Sequence, residues 1–254
     1  MPDTTETTEP EQRRTRTPDV RNRLAIALDV DDVVEAARIA RDVRQWFGVA
    51  KVGLELFSAA GPDAVVEMSN LGYRVFLDLK YHDIPTTVRK AARVVGALGA
   101  SYLTLHASGG SSMLRAGVEG LAEGAAAAGC DAPVALAVTV LTSEDAAPDQ
   151  VLTNRVRAAL EAGCGGIVCA AADVPHARRL APRLTTVVPG IRPAGGAEHD
   201  QARTSTPEGA LDAGADLLVI GRAVTAADDR AAAAASLVGA LELERRGGVG
   251  ATPR

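Results

Sequence analysis

The stretch from Asp78 to Val88, DLKYHDIPTTV, holds the residues best suited to chemistry. Asp78 and Lys80 lie two apart, so on an extended backbone their side chains project to the same side. Asp83 follows in a predicted loop, and Pro85 suits the first turn of a helix. Two carboxylates and an ammonium should therefore converge just past a short strand, predicted over residues 74–77. A surface ion pair next to an Asp that caps the following helix is the alternative for such a pattern.

The lysine content favours a chemical role for this stretch. Three of the 27 basic residues are lysines, namely Lys51, Lys80 and Lys90, and the other 24 are arginines. Lysine can lose its proton at accessible pH, whereas a guanidinium effectively cannot. Lys51 and Lys80 also follow apolar runs at predicted strand ends. A lysine kept where arginine serves almost everywhere else indicates a function that needs a titratable ammonium.

The rest of the chain alternates between apolar strand-like runs and helical patterns. This alternation is typical of parallel strands in an α/β fold, because each crossover must carry a helix. A closed (β/α)8 TIM barrel and an open doubly wound sheet both fit it. The predicted strands cover residues 24–28, 49–53, 75–77, 102–105, 134–140, 166–169, 184–188 and 217–220, and the predicted helices cover 33–47, 63–71, 85–98, 112–128, 150–162, 174–180, 207–213 and 227–245.

The positions of the polar residues decide between these two folds. Polar side chains follow several different predicted strands: Asp29, Lys51, Asp78, Lys80, His106 and Arg222. That distribution fits the shared mouth of a barrel better than a single crevice in an open sheet. We therefore predict a (β/α)8 barrel over residues 23–245 as the only domain. Residues 1–22 are predicted to form a disordered polar tail and residues 246–254 a flexible one.

Composition argues against several classes of partner and location. The formal net charge is −5 and the body of the chain has no basic cluster, which argues against nucleic-acid binding. No apolar run approaches the roughly 20 residues of a membrane helix, and the polar start lacks the apolar region of a secretory signal. The cysteines, Cys130, Cys164 and Cys169, are odd in number and lack zinc-like spacing. We therefore expect a cytoplasmic protein with reduced thiols and no membrane partner.

Two segments rich in glycine and arginine predict an anion site. PGIRP, residues 189–193, follows the seventh predicted strand, and Gly221-Arg222 follows the eighth. The loops after strands seven and eight of a TIM barrel often form a phosphate site. Glycine lets the backbone approach an anion, and arginine supplies a forked donor. Either segment alone would be read as a turn, but their joint placement predicts phosphate binding.

These segments together resemble the orotidine 5'-phosphate decarboxylase family. The resemblance runs in order from about Arg23 to Leu243 and rests on DLKYHDIPTTV, Leu28-Asp29, Lys51-Val-Gly, VTVLTS at 138–143, PGIRP at 189–193 and IGR at 220–222. It implies a barrel enzyme that converts orotidine 5'-monophosphate to UMP and carbon dioxide in de novo pyrimidine synthesis. It also implies a homodimer with shared active sites, and a reaction that uses neither cofactor nor metal.

The resemblance assigns roles to particular residues. Lys51, Asp78, Lys80 and Asp83 would form a catalytic network in which each charge holds its neighbour ionised, with Lys80 protonating C6. Lys51 and the remaining residues would contact the nucleotide, with Asp29 at the ribose hydroxyls, Thr142 at the pyrimidine, Gln201 between phosphate and base, and Arg192, Gly221 and Arg222 at the phosphate. Gln201 belongs to a predicted mobile loop over residues 194–203. Asp83 and Thr87 would reach into the neighbouring subunit's site.

Two other readings remain open from the sequence. Sugar-phosphate enzymes of the same superfamily share the Asp-x-Lys-x-x-Asp element and use a magnesium ion at the barrel mouth. Lys51, Ile84-Pro85 and PGIRP with Gln201 argue against them. A non-catalytic nucleotide-binding or scaffold protein would be favoured if Asp78 or Lys80 were missing, but both are present. His82 and His106 carry no role in the family and are predicted to be structural.

Overall fold

A computed structural model of the chain describes residues 20–141, 148–193 and 203–247, with side chains up to Leu241. Its centre is a closed barrel of eight parallel strands in sequence order, in which β1 also pairs with β8. The strands are β1 Leu24–Leu28, β2 Val49–Gly53, β3 Arg74–Tyr81, β4 Tyr102–His106, β5 Val134–Val138, β6 Gly166–Val168, β7 Thr185–Val188 and β8 Leu217–Ile220. The predicted barrel is confirmed, and the pairing of β1 with β8 excludes the open sheet.

Helices surround the barrel and connect successive strands. They are α1 Val33–Val43, α2 Leu54–Ala60, α3 Pro62–Asn70, α4 Pro85–Gly96, α5 Gly110–Ala128, α6 Asp149–Glu161, α7 Val174–Leu180, α8 Pro207–Asp212, α9 Arg222–Thr225 and α10 Arg230–Gly247. The predicted domain boundary at residue 23 falls within a 3-10 helix, Val20–Arg23, and α10 ends two residues after the predicted end at 245. None of the helices in the described residues is long and apolar enough to span a membrane.

The strand side chains alternate between two apolar clusters. The larger cluster lies between the strands and the helices, and Leu24, Ile26 and Leu28 of β1 belong to it. The smaller cluster fills the barrel, and Ala25 and Ala27 of β1 belong to it. Because alternate residues of a strand face opposite sides, β1 turns its large residues outward and its alanines inward. The small inward residues leave space at the carboxyl end of the barrel.

Helices α4 and α5 pack unusually closely through glycines. A Cβ atom built on Gly96 of α4 would overlap the Leu121 carbonyl of α5, and one built on Gly120 or Gly124 of α5 would overlap a carbonyl of α4. The backbones of the two helices are therefore in direct contact. Since α4 begins directly after the loop that carries Asp83, this contact also fixes where that loop leaves the barrel.

We expect Gly124→Ala to destabilise the fold. Its new methyl group would overlap the Arg93 carbonyl, so α4 and α5 must separate, and overpacking of this kind typically costs about 1–3 kcal/mol. Gly239→Ala in α10 is the matched control, because a Cβ atom there has no neighbour within 4 Å and alanine favours a helix. Thermal or urea unfolding of both variants would check the prediction. Equal stability of the two variants would contradict it.

Candidate active site

Four side chains of alternating charge form a continuous chain at the carboxyl ends of β1, β2 and β3. Lys51 Nζ lies 2.7 Å from Asp29 Oδ1 and 3.8 Å from Asp78 Oδ2. Lys80 Nζ lies 2.8 Å from the same Asp78 oxygen. The order is therefore Asp29, Lys51, Asp78, Lys80. Each internal member touches two groups of opposite charge, so the array is electrically balanced.

Burial increases toward the middle of this array. The side chains of Lys51 and Asp78 are 10% and 16% exposed, whereas those of Lys80 and Asp29 are 33% and 58% exposed. A buried ammonium without a partner would be very unfavourable. Lys51 avoids that penalty because it lies between two carboxylates. The two ends of the array, Asp29 and Lys80, are the members most open to a ligand.

Strand β3 is irregular where it carries the reactive residues. Leu77 pairs with Leu103 and Tyr81 pairs with Leu105, so the ladder advances four residues on β3 but two on β4. Lys80 accommodates the extra residues of β3 with a φ of 47°. It is the only residue other than glycine with a positive φ among those described. The predicted strand end at Leu77 was wrong: β3 continues to Tyr81. Asp78 and Lys80 still face one cavity, as their spacing indicated.

The array faces a cavity of about 600 Å³ at the barrel mouth. Its charged side includes the four residues of the array, and its apolar wall includes Ala27, Phe76, Val138, Val168 and Val219. Residues that follow β7 and β8 also line it, among them Gly190, Arg192, Gly221 and Arg222. This cavity can hold a ligand with a flat apolar part, a charged reactive group and a distant anion.

The segment after β7 is shaped for an anion. Gly190 has a φ of 76°, a left-handed conformation that favours glycine. Ile191 forms a bridge with Ser205, and the Arg192 amide donates to the Ser205 carbonyl at 2.9 Å. Arg192 Nε is buried and has no hydrogen-bond partner in the described residues. A buried donor in this state is unfavourable, so the position suits an acceptor brought by a ligand.

Asp83 and Thr87 do not join the array within one chain. Both are exposed, neither lines the cavity, and Asp83 Oδ1 accepts a hydrogen bond from the Ile84 amide at 2.6 Å. The reason is that β3 extends to Tyr81, so Asp78 and Lys80 lie within the strand whereas Asp83 lies in the loop beyond it. The convergence of Asp83 with Asp78 and Lys80 that the spacing suggested is therefore absent within the chain. Asp29 occupies the fourth place instead. Thr142 and Gln201 lie outside the described residues.

Gly53 is a site residue whose importance the sequence pattern did not reveal. A Cβ atom on Gly53 would lie 3.0 Å from Asp29 Oδ1 and 3.2 Å from Lys51 Nζ. Any side chain here would press on the ion pair between these two residues. The signal was available in Lys51-Val-Gly, since glycine is unfavourable in a strand unless another group approaches closely.

The remaining candidate residues lie away from the cavity. His82 and His106 stack with ring centroids 5.3 Å apart, and neither lines the cavity. Burial raises the pKa of the Cys164 and Cys169 thiols to about 12, so neither is a nucleophile at neutral pH. No group of three or more His, Cys, Asp or Glu side chains that could hold a metal ion occurs in the ranges described above.

Comparisons with known proteins agree with this geometry. Residues 22–237 match the profile of the family described as "Orotidine 5'-phosphate decarboxylase / HUMPS family". Orotidine 5'-phosphate decarboxylase of Anaeromyxobacter dehalogenans is 46% identical over 230 residues, covering 86% of this chain and 98% of the relative. The protein of that name from Thermobifida fusca is 47% identical over 238 residues, covering 88% and 97%.

A solved structure extends the comparison to three dimensions. The crystal structure of orotidine 5'-phosphate decarboxylase from Lactobacillus acidophilus superposes with a TM-score of 0.73 at 33% identity, covering 86% of this chain and 98% of that one. The family profile spans most of the described barrel and includes every residue of the charged array. The chain therefore belongs to the orotidine 5'-phosphate decarboxylase / HUMPS family.

Proposed function

We propose that this protein is an orotidine 5'-phosphate decarboxylase, a carboxy-lyase that converts orotidine 5'-monophosphate to UMP and carbon dioxide. The observation that carries the proposal is the alternating array Asp29, Lys51, Asp78, Lys80, which faces the same cavity as Arg192 and Arg222. The product UMP places the enzyme in pyrimidine nucleotide synthesis. Relatives that carry this name cover nearly the whole barrel.

The array provides the electrostatic stabilisation that this reaction needs. The bond between C6 and the carboxyl carbon breaks, carbon dioxide leaves, and the electron pair stays on C6. No atom of the ring can delocalise that pair, so a fixed positive charge must stabilise it. Lys80 Nζ is the ammonium at the open end of the array, and it supplies the proton that C6 takes up. Solvent then returns a proton to the amine.

Asp78 acts in this scheme by ordering the lysines. Its Oδ2 lies 2.8 Å from Lys80 Nζ and 3.8 Å from Lys51 Nζ. Both ammonium groups are therefore positioned before the substrate arrives, and little reorganisation is needed during the reaction. The contacts support this ordering role, since Asp78 is the member that both lysines share.

The other residues are proposed to bind the nucleotide. Asp29, 58% exposed at the end of the array, has a carboxylate suited to the ribose hydroxyls, with Lys51 beside it. Arg192, Gly221 and Arg222 line the cavity on the side of β7 and β8 and would hold the phosphate. Thr142 at the pyrimidine and Gln201 between phosphate and base are proposed from the family resemblance.

One assay tests the proposed function. Purified protein is mixed with orotidine 5'-monophosphate in buffer containing a chelator, and the loss of substrate absorbance is followed. We expect turnover to persist in the chelator, because every step above uses side chains of the chain itself. Absence of turnover, combined with magnesium-dependent activity on a sugar phosphate such as a hexulose phosphate, would assign the chain to the other branch of the family. Binding of UMP without any turnover would identify a non-catalytic nucleotide-binding protein.

We further propose that the enzyme is a cytoplasmic homodimer with shared active sites. Asp83 and Thr87 are exposed and lie outside their own cavity, and Ile84 between them is 66% exposed. An exposed apolar side chain beside a carboxylate suits a surface that meets a partner. A two-fold interface would carry this loop across in both directions. The free cysteines suit the reducing cytoplasm.

Subunit exchange should reveal the shared site. Lys80→Ala and Asp83→Ala proteins are each expected to be nearly inactive, yet a mixed dimer would contain one site with both lesions and one site with neither. Random exchange should therefore restore about a quarter of all sites. The measurement is activity after exchange, with mixed dimers verified by mass spectrometry. If Asp83 serves its own chain, activity stays at the level of the separate variants.

A further inference from the structure

The hydroxyl group of Thr104 lies at the centre of the irregular part of β3. Thr104 belongs to β4, is 0% exposed, and does not line the cavity. Its Oγ1 accepts a hydrogen bond from the Lys80 amide at 2.8 Å and donates one to Asp78 Oδ1 at 3.1 Å. An amide can only donate and a carboxylate can only accept, so both directions are determined. One hydroxyl thus connects the backbone of Lys80 with the side chain of Asp78.

The backbone of Lys80 needs such support. Its φ of 47° is unfavourable for any residue with a Cβ atom, and conformations of this kind persist only where the surroundings enforce them. The normal β3–β4 ladder is interrupted between Leu77 and Tyr81. The Lys80 amide therefore bonds to the Thr104 side chain in place of a strand carbonyl.

The two oxygens of Asp78 have separate partners. Oδ2 faces both ammonium groups, at 2.8 Å from Lys80 and 3.8 Å from Lys51. Oδ1 is bonded to Thr104. Rotation of the carboxylate would break this bond and move Oδ2 away from the lysines, so the hydroxyl holds the carboxylate in the plane that orders both of them.

We propose that Thr104 is a positioning residue of the reaction, which holds Lys80 through its backbone and through Asp78. The proposal rests on the proposed function and deepens it. Loss of the hydroxyl would leave the ammonium of Lys80 in the cavity but allow it to move away from C6. Because misplacement affects the transition state more than the ground state, the expected effect is on kcat.

Thr104→Ala and Thr104→Ser form a matched pair that differs by a single oxygen atom. Both side chains are smaller than threonine and neither introduces overpacking. We expect the alanine variant to have a kcat roughly 10- to 100-fold below that of the serine variant, the range for one lost hydrogen bond to a charged group. KM for orotidine 5'-monophosphate and UMP affinity should differ between them by less than about threefold. Hydrogen exchange of the Lys80 amide should be faster in the alanine variant.

Thr186 provides a control at the opposite end of the barrel. It is 1% exposed, and its hydroxyl lies 3.1 Å from Asp216 Oδ2 and 3.2 Å from the Gly214 carbonyl. Thr186→Ala should lower the unfolding midpoint without changing kcat, which separates loss of stability from loss of positioning. Equal kcat values for Thr104→Ala and Thr104→Ser would overturn the positioning role while the wild type remained an active decarboxylase. An inactive wild type would overturn the proposed function, and this inference with it.

Discussion

Replacing Lys80 with alanine should lower kcat by at least about 10³-fold while leaving the fold and UMP binding intact. The ammonium lies at the open end of the charged array, is 33% exposed, and has one close partner, Asp78 Oδ2 at 2.8 Å. It is the cation best placed to stabilise the C6 carbanion and then to protonate it. UMP carries a hydrogen at C6 and no negative charge there, so its affinity should change little. Single-turnover kinetics and UMP titration would measure the two effects separately.

Two controls make this prediction specific. Lys80→Arg keeps the positive charge, but a guanidinium is a poor proton donor, so activity should not return to the wild-type level. Lys90→Ala removes an exposed lysine from the side of α4 and should leave kcat unchanged. Near-normal turnover by Lys80→Ala would show that another group stabilises and protonates C6. A loss of similar size in Lys90→Ala would point to a nonspecific effect of charge.

The barrel and the bounds of β1, β2 and β8 could be predicted from the sequence because they depend on local patterns. β1 and β8 are short apolar runs bordered by polar residues or glycine, and β2 follows Gly48 and ends at Gly53. Lys51 and Lys80 stood out because only three of the 27 basic residues are lysines, and Asp78 stood out because it lies two residues from Lys80. Parallel strands open at one end of the barrel, so these residues had to meet at a common mouth.

Features that depend on pairing between distant segments were not predictable in this way. α2 was not predicted, because its seven residues are too few for an apolar period to stand out. The shift between β3 and β4 depends on which residues of two strands pair, and Thr104 acquires its role only through that shift. The replacement of Asp83 by Asp29 in the array likewise depends on β3 continuing to Tyr81. A single sequence carries no local signal for any of these contacts.

Loss of an arginine that binds the phosphate should have the second large effect on activity. Arg222 and Arg192 line the cavity after β8 and β7, away from the Asp78–Lys80 pair on β3. Arg222→Ala should lower kcat/KM for orotidine 5'-monophosphate by about 10²- to 10³-fold, since truncating one partner of a charged hydrogen-bonded pair costs about 2–5 kcal/mol. For orotidine, which lacks the phosphate, kcat/KM should be almost unchanged. The contrast between the two substrates is the measurement, and it isolates the binding energy that a non-reacting group contributes to the transition state.

Arg183 supplies the matched control for this comparison, because it is an exposed arginine just before β7, at the amino end of the barrel. Arg183→Ala should leave both substrates unaffected, which shows that loss of one positive charge is not enough to weaken binding of a dianion. Equal damage to both substrates in Arg222→Ala would instead show that Arg222 supports the fold or contacts the base. If kcat/KM for orotidine 5'-monophosphate falls equally in Arg222→Ala and Arg183→Ala while kcat/KM for orotidine is unchanged, the cause would be long-range electrostatic attraction, which added salt should abolish. Direct contact between Arg222 and the phosphate predicts three results together. The loss of kcat/KM occurs in Arg222→Ala only, it occurs with the phosphorylated substrate only, and it is largely resistant to salt.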